Sequence, residues 1–147
     1  MRYLIASDIH GSYEDIKKIL FNNKFDILIL LGDILNGPYD IDTMNKTADL
    51  LNIFKNKIIY VKGNCDTYLN DKLEFYNNDL YRYILIDKKT WFITHGHAYN
   101  RYSLIDKDYD IFISGHTHKY LLEKSNNNVI WFHPAYVRDL RFWNAVL

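Results

Sequence analysis

The sequence is poor in the residues that impose rigidity from outside a core. A single cysteine, Cys65, excludes an intrachain disulfide framework and suits a reducing compartment. Two prolines and six glycines among 147 residues exclude collagen-like and proline-rich extended structure. The longest low-complexity run is the triplet Asn126-Asn127-Asn128. Net charge is also missing, since 18 Lys and Arg balance 18 Asp and Glu. That balance gives no electrostatic case for nonspecific duplex binding or for an acidic membrane surface. No apolar stretch approaches the ~20 residues of a spanning helix. The opening Met1 to Asp8 has too short an apolar run for a leader and ends in a carboxylate, so a cytosolic protein is expected. Hydrophobic residues make up 48% and charged residues 24%, enough for one ordinary core, and a single domain over 1–147 is expected.

The first half alternates strand and helix. Tyr3 to Ser7 is a short apolar run, the mark of a buried strand. Ser12 opens a helix with Asp15 three residues on, a capping-box pattern, and Ile16, Ile19 and Leu20 form its inner stripe. Ile27 to Leu31 is a second strand, stopped by Gly32, and Gly37-Pro38 marks a loop. A second helix turns Met44, Ala48, Leu51 and Ile53 inward, and Ile58 to Val61 is a third strand. This βαβαβ order predicts right-handed crossovers and a parallel sheet covered by helices. The second half is mostly strand. Tyr81 to Ile86 and Thr90 to Thr94 flank a hairpin, as do Tyr120 to Glu123 and Val129 to Phe132. Asp110 to Ser114 is a further buried run, and a short helix is expected around 102–106.

Metal-type side chains gather where these strands end. Asp8 and His10 follow the first strand, Asp33 the second and Asn64 the third. His95 and His97 follow the hairpin strand, and His116 and His118 the next. Open α/β sheets bind ligands at the carboxyl edge. An isolated Asp-x-His means a turn more often than a ligand, but two carboxylates, an amide and five of the six histidines converge on one edge. Imidazole with carboxylate, and no cysteine cluster, suits Mn, Fe, Zn, Co or Ni. Seven ligands are too many for one catalytic ion and suit two ions sharing a carboxylate, about 3.5–4 Å apart.

Five motifs in order resemble the calcineurin-like metallophosphoesterases, and within them the small YfcE-type phosphodiesterases. They are Ser7-Asp8-Ile9-His10-Gly11-Ser12, Leu31-Gly32-Asp33, Gly63-Asn64-Cys65-Asp66, Thr94-His95-Gly96-His97 and Gly115-His116-Thr117-His118. Leu35-Asn36-Gly37-Pro38 resembles the same branch. The resemblance implies a two-sheet αββα sandwich with the metal site at the carboxyl ends of the strands. It implies that Asp8, His10 and His118 hold one divalent ion, that Asn64, His95 and His116 hold the other, and that Asp33 bridges them. Manganese is the first expectation, with Fe, Zn, Ni or Co as substitutes. A hydroxide between the ions would attack the phosphorus of a small, nucleotide-like or cyclic phosphodiester in line. A homo-oligomer is compatible with this reading, and a nucleic-acid or membrane partner is not expected.

Two departures matter. Many members carry a histidine after the Asn that protonates the leaving group, and here Cys65 stands there. A thiol with a free pKa near ~8.5 is a poor acid for an alkoxide. Asp66 and His97 are the alternative proton sources, with His97 also a candidate phosphate contact. Near the end, His133-Pro134-Ala135-Tyr136 replaces the branch's Asn-Pro-Gly-Ser, and a hydrogen-bonded strand-end role is expected for His133. Tyr39, Tyr68, Tyr99, Arg101 and Tyr102 fall in loops on the site's side, where a ring or guanidinium can meet a base. Rival readings are a nuclease or dinucleoside polyphosphate hydrolase, and a non-catalytic scaffold like the retromer subunit of this fold. The seven intact ligands favour catalysis.

Overall fold

The computed structural model describes residues 1–67, 70–103, 108–125 and 129–134. The expected helix around 102–106 and the expected loop residue Tyr68 therefore lie partly or wholly outside the described residues. Two sheets form. The first contains β1 (Tyr3–Ala6), β2 (Ile27–Leu30) and β3 (Ile58–Tyr60), parallel and in chain order. The second contains β4 (Tyr81–Ile86), β5 (Lys89–Thr94), β6 (Ile111–Ser114), β7 (Leu121–Lys124) and β8 (Ile130–His133), in the order β4-β5-β6-β8-β7. β8 returns between β6 and β7, pairing parallel with the first and antiparallel with the second.

Period-two alternation sorts side chains between layers. Leu4, Ala6, Leu28, Leu30 and Tyr60 face α1 (Tyr13–Asn22) and α2 (Ile41–Asn52) and share one core with Ile16, Ile19, Leu20 and Leu51. Their neighbours Ile5, Ile29, Leu31 and Val61 face the second sheet and pack with Trp91, Ile93, Ile111, Ile113 and Phe132. Strands buried on both faces read as continuous apolar runs, which is why Ile27 to Leu31 shows no alternation. The outward face of the second sheet is sealed by rings: Phe92 stacks on Phe112 at 5.5 Å between centroids and on Tyr81 at 5.3 Å. No described helix is long and apolar enough to cross a membrane.

Two local expectations are corrected, the Ser12 cap and the inward Ile53. Ser12 is the N-cap of α1 but caps no backbone N–H, because its hydroxyl donates to the Asp15 carboxylate instead. α2 takes a true cap from Asp40, which accepts from the Thr43 N–H at 2.9 Å. Ile53 points outward, 74% exposed, because the helix ends one residue earlier, and Thr47 and Leu50 take inward places. The first hairpin turns on two residues, Asp87 and Lys88, both left-handed (φ 49° and 65°), the geometry of a type I′ turn without its usual glycine.

His133 ends β8 as a buried, neutral base. Its Nδ1 lies 3.2 Å from the Ser114 hydroxyl, and burial together with the Arg101 charge presses its pKa down to about 4. In the unfolded chain the imidazole titrates near ~6.5. Stability from His133 is therefore complete above that value and lost as the pH falls toward about 4. The loss amounts to roughly 3 kcal/mol at most. Urea unfolding at pH 7 and pH 4.5 should show a smaller acid-side loss in His133→Gln than in the wild type. An equal loss in both would contradict this account.

Candidate metal centre

The chain leaves β1, β2, β5 and β6 through sharp bends that turn polar side chains inward at one edge. Seven described non-glycine residues have positive φ, and five of them are Asp8, His10, Asp33, His116 and His118. Such backbone is uncommon outside Asn, Asp and His, and clusters where geometry is held for a purpose. Close approach does the rest. A Cβ on Gly63 would overlap the Asp33 carboxylate, and one on Gly115 would overlap the Ser7 hydroxyl.

Two groups of donors converge. His118 Nε2 lies 3.2 Å from Asp8 Oδ1, and His10 Nε2 lies 3.7 Å from Asp33 Oδ2. His95 Nε2 lies 3.3 Å from Asp33 Oδ2, 3.0 Å from Asn64 Oδ1 and 3.2 Å from His116 Nδ1. Asp33 Oδ2 is common to both groups. The far sides of the rings are fixed: His10 Nδ1 donates to the Asn36 carbonyl and His95 Nδ1 to the Leu31 carbonyl, each at 2.6 Å. That tautomer leaves each Nε2 lone pair facing the edge, as metal-bound histidine requires.

Asp8 supplies the test of fit for a cation. Its residue is fully buried. Oδ2 accepts from the Ser7 hydroxyl at 2.6 Å and the His116 N–H at 3.0 Å, but Oδ1 has no hydrogen-bond partner among the described residues. A buried carboxylate oxygen without a partner is costly unless a cation sits against it. The donor set of carboxylate, imidazole and amide oxygen fits a divalent ion of the first transition row.

The electrostatics already anticipate positive charge. Burial raises the Asp33 carboxyl, but His95, the Cys65 N–H and His10 outweigh it and hold its pKa at about 2. Burial lowers His95, but Asp33, Asp8 and the Leu31 carbonyl outweigh it and raise the imidazole. His97 is pressed down, first by burial and then by His95 and His116. Its ring stands 5.4 Å from that of His95 and 6.3 Å from that of His116, outside the ligand groups.

Asp66 is placed where no proton source belongs. It is fully buried. Oδ2 accepts from the N–H groups of Asp33 and Gly63 at 2.8 Å and from the Tyr60 hydroxyl at 2.7 Å, and Oδ1 accepts from the Ile34 N–H at 2.9 Å. Four donors occupy both oxygens, so Asp66 ties the Asp33 loop to the Asn64 loop, and its expected role in proton transfer is withdrawn. Cys65 borders the donor cluster. Its Sγ, a nitrogen of His10 and an oxygen of Asp33 lie within 4.8 Å of one another, and burial beside Asp33 pushes the thiol up to about 11. Asn36 has a role that its residue type alone does not disclose. Besides receiving His10, its amide donates to the Cys65 carbonyl and, at 2.7 Å, to the Thr67 hydroxyl. Its place in the Leu35-Asn36-Gly37-Pro38 motif was the available signal.

Residues 1–142 match the family described as the calcineurin-like phosphoesterase superfamily domain. The phosphodiesterase YfcE of Escherichia coli K12 is 32% identical, across 93% of this chain and 79% of its own length. The solved structure of the E. coli YfcE phosphoesterase superposes with a TM-score of 0.81 at 30% identity, covering 93% of this chain and 80% of that one. A structure described as a novel archaeal phosphodiesterase gives a TM-score of 0.62 at 25% identity, covering 92% and 84%. Vps29 of Entamoeba histolytica, at 20% identity and a TM-score of 0.60 over 92% and 74%, shares the fold.

Proposed function

Because the chain belongs to the calcineurin-like phosphoesterase superfamily, we propose that it hydrolyses a small phosphodiester with two divalent ions, manganese first. The reading assigns Asp8, His10 and His118 to one ion, Asn64, His95 and His116 to the other, and Asp33 to both. The observation that carries it is the buried Oδ1 of Asp8, which accepts no hydrogen bond among the described residues and lies 3.2 Å from His118 Nε2. When bound, paired divalent ions supply a nucleophile at neutral pH and neutralise the phosphoryl oxygens.

The chain's own residues do the remaining work. Carbonyl-anchored His10 and His95 keep their Nε2 atoms aimed without reorganisation. Asn64 offers Oδ1 to the edge while its amide donates to Cys65 Sγ at 3.3 Å, leaving a second amide hydrogen for a phosphate oxygen. No strong acid faces the leaving group. Cys65 holds its proton too tightly, His97 is biased to the neutral form, and Asp66 is sequestered. Substrates whose leaving group departs without a proton are therefore favoured, and diesters over alkyl monoesters.

The test is an assay of metal-stripped protein on bis-p-nitrophenyl phosphate and p-nitrophenyl phosphate, with and without Mn²⁺. Diester turnover restored by Mn²⁺ and exceeding monoester turnover supports the reading. Two ions bound per chain with no turnover under any divalent metal would favour a scaffold, the role expected of a catalytically silent member of this fold.

A further inference from the structure

A cavity of about 460 Å³ adjoins the metal edge, with Gly96 and His116 among its lining residues. Its lining is mostly carbon, with Tyr102, Tyr120 and Leu121 among the walls and Lys119 also lining it. The volume lies in the range of small-molecule sites, about 300–1,000 Å³. Tyr102 is 74% exposed yet held. The Arg101 guanidinium lies 4.8 Å from its ring and 5.2 Å from the Trp131 ring, and is anchored by Glu123 at 2.9 Å. Arg101 is thus committed to positioning an aromatic wall. Tyr120 is set edge-on to Phe132, 6.2 Å between centroids. Lys119 has no carboxylate within 4.0 Å among the described residues, which leaves a cation for a polar ligand edge.

An ester whose phosphoryl group sits at His116 and whose other arm is methyl would leave this cavity to water. A flat ring would bury carbon against the tyrosines, the arrangement by which aromatic side chains hold bases without reading sequence. We infer that the cavity receives the organic arm of the phosphate ester, and that this arm carries a planar aromatic ring with a polar edge toward Lys119. The inference rests on the phosphoesterase reading and narrows it from any small diester to aryl or nucleoside esters.

Calorimetry on the Mn²⁺-loaded protein tests it with methyl phosphate, phenyl phosphate and thymidine 5′-monophosphate. The ring-bearing phosphates should bind at least tenfold more tightly than methyl phosphate. Tyr102→Ala and Tyr120→Ala should each cut that ratio severalfold. Thymidine 5′-monophosphate above phenyl phosphate identifies a nucleoside arm, and equality identifies the ring alone. A ratio near one in the wild type, a ratio unaffected by both variants, or no binding of any of the three would overturn the inference. Should Tyr120→Ala fail to fold, Tyr102→Ala decides, since its ring lies at the surface. Diester turnover is scored separately: a ratio that holds without Mn²⁺-dependent hydrolysis sinks the catalytic reading and leaves the cavity assignment standing.

Discussion

Asp33→Asn is expected to lower diester turnover by about a thousandfold or more while the chain still folds. The substitution keeps an oxygen to accept the Cys65 N–H, which Asp33 Oδ1 does at 2.8 Å, and so spares the loop. It removes the charge that faces both His10 and His95. Loss of one preorganised electrostatic group costs about 10²–10³ in rate. Here the same oxygen is assigned to two ions, so metal content should fall as well. Elemental analysis after dialysis should find fewer than two ions per chain. Wild-type turnover with two tightly held ions would remove Asp33 from the bridging role.

Asp66→Asn is expected to produce the largest loss of stability at a residue with no assigned contact to substrate. The carboxylate accepts from three backbone N–H groups and a phenol in a site closed to water. An amide turns one oxygen into a donor facing donors, and hydrogen bonds to a buried charge are each worth about 1.5–3 kcal/mol. A loss of at least ~4 kcal/mol follows, placing it in the tail of single substitutions. For a chain of this size the melting temperature should drop by roughly 10 °C or more. Tyr60→Phe removes one of the four donors and should cost far less. A melting temperature within a few degrees of wild type for Asp66→Asn would show that water or another group satisfies those donors.

Much of the scaffold is legible in the residues. The apolar runs ending at Ser7, Leu31 and Val61 locate the parallel strands, because a strand buried on both faces has few other compositions. The metal-type residues are legible for a related reason: strand ends with glycine neighbours are where a chain can turn polar groups onto one edge. What could not be read is non-local. The return of β8 between β6 and β7 depends on pairing partners far apart in sequence, and a hairpin reads the same whichever of its strands lies inside. Asp66 looked like an acid because it follows Asn64 and Cys65. Two of its four donors, the N–H groups of Asp33 and Ile34, arrive only with the approach of a loop 33 and 32 residues away in sequence. Ser12 and Asp15 have capping-box spacing, yet their side chains satisfy each other instead of the backbone.

The left-handed backbone at Asp8, His10, Asp33, His116 and His118 has an evolutionary consequence. Each such residue carries a conformational penalty of order 1 kcal/mol that glycine would not. Selection acting on persistence of the fold alone would therefore erode these five positions first, toward glycine. Aspartate and histidine at these positions are what the ligand roles proposed for them would require.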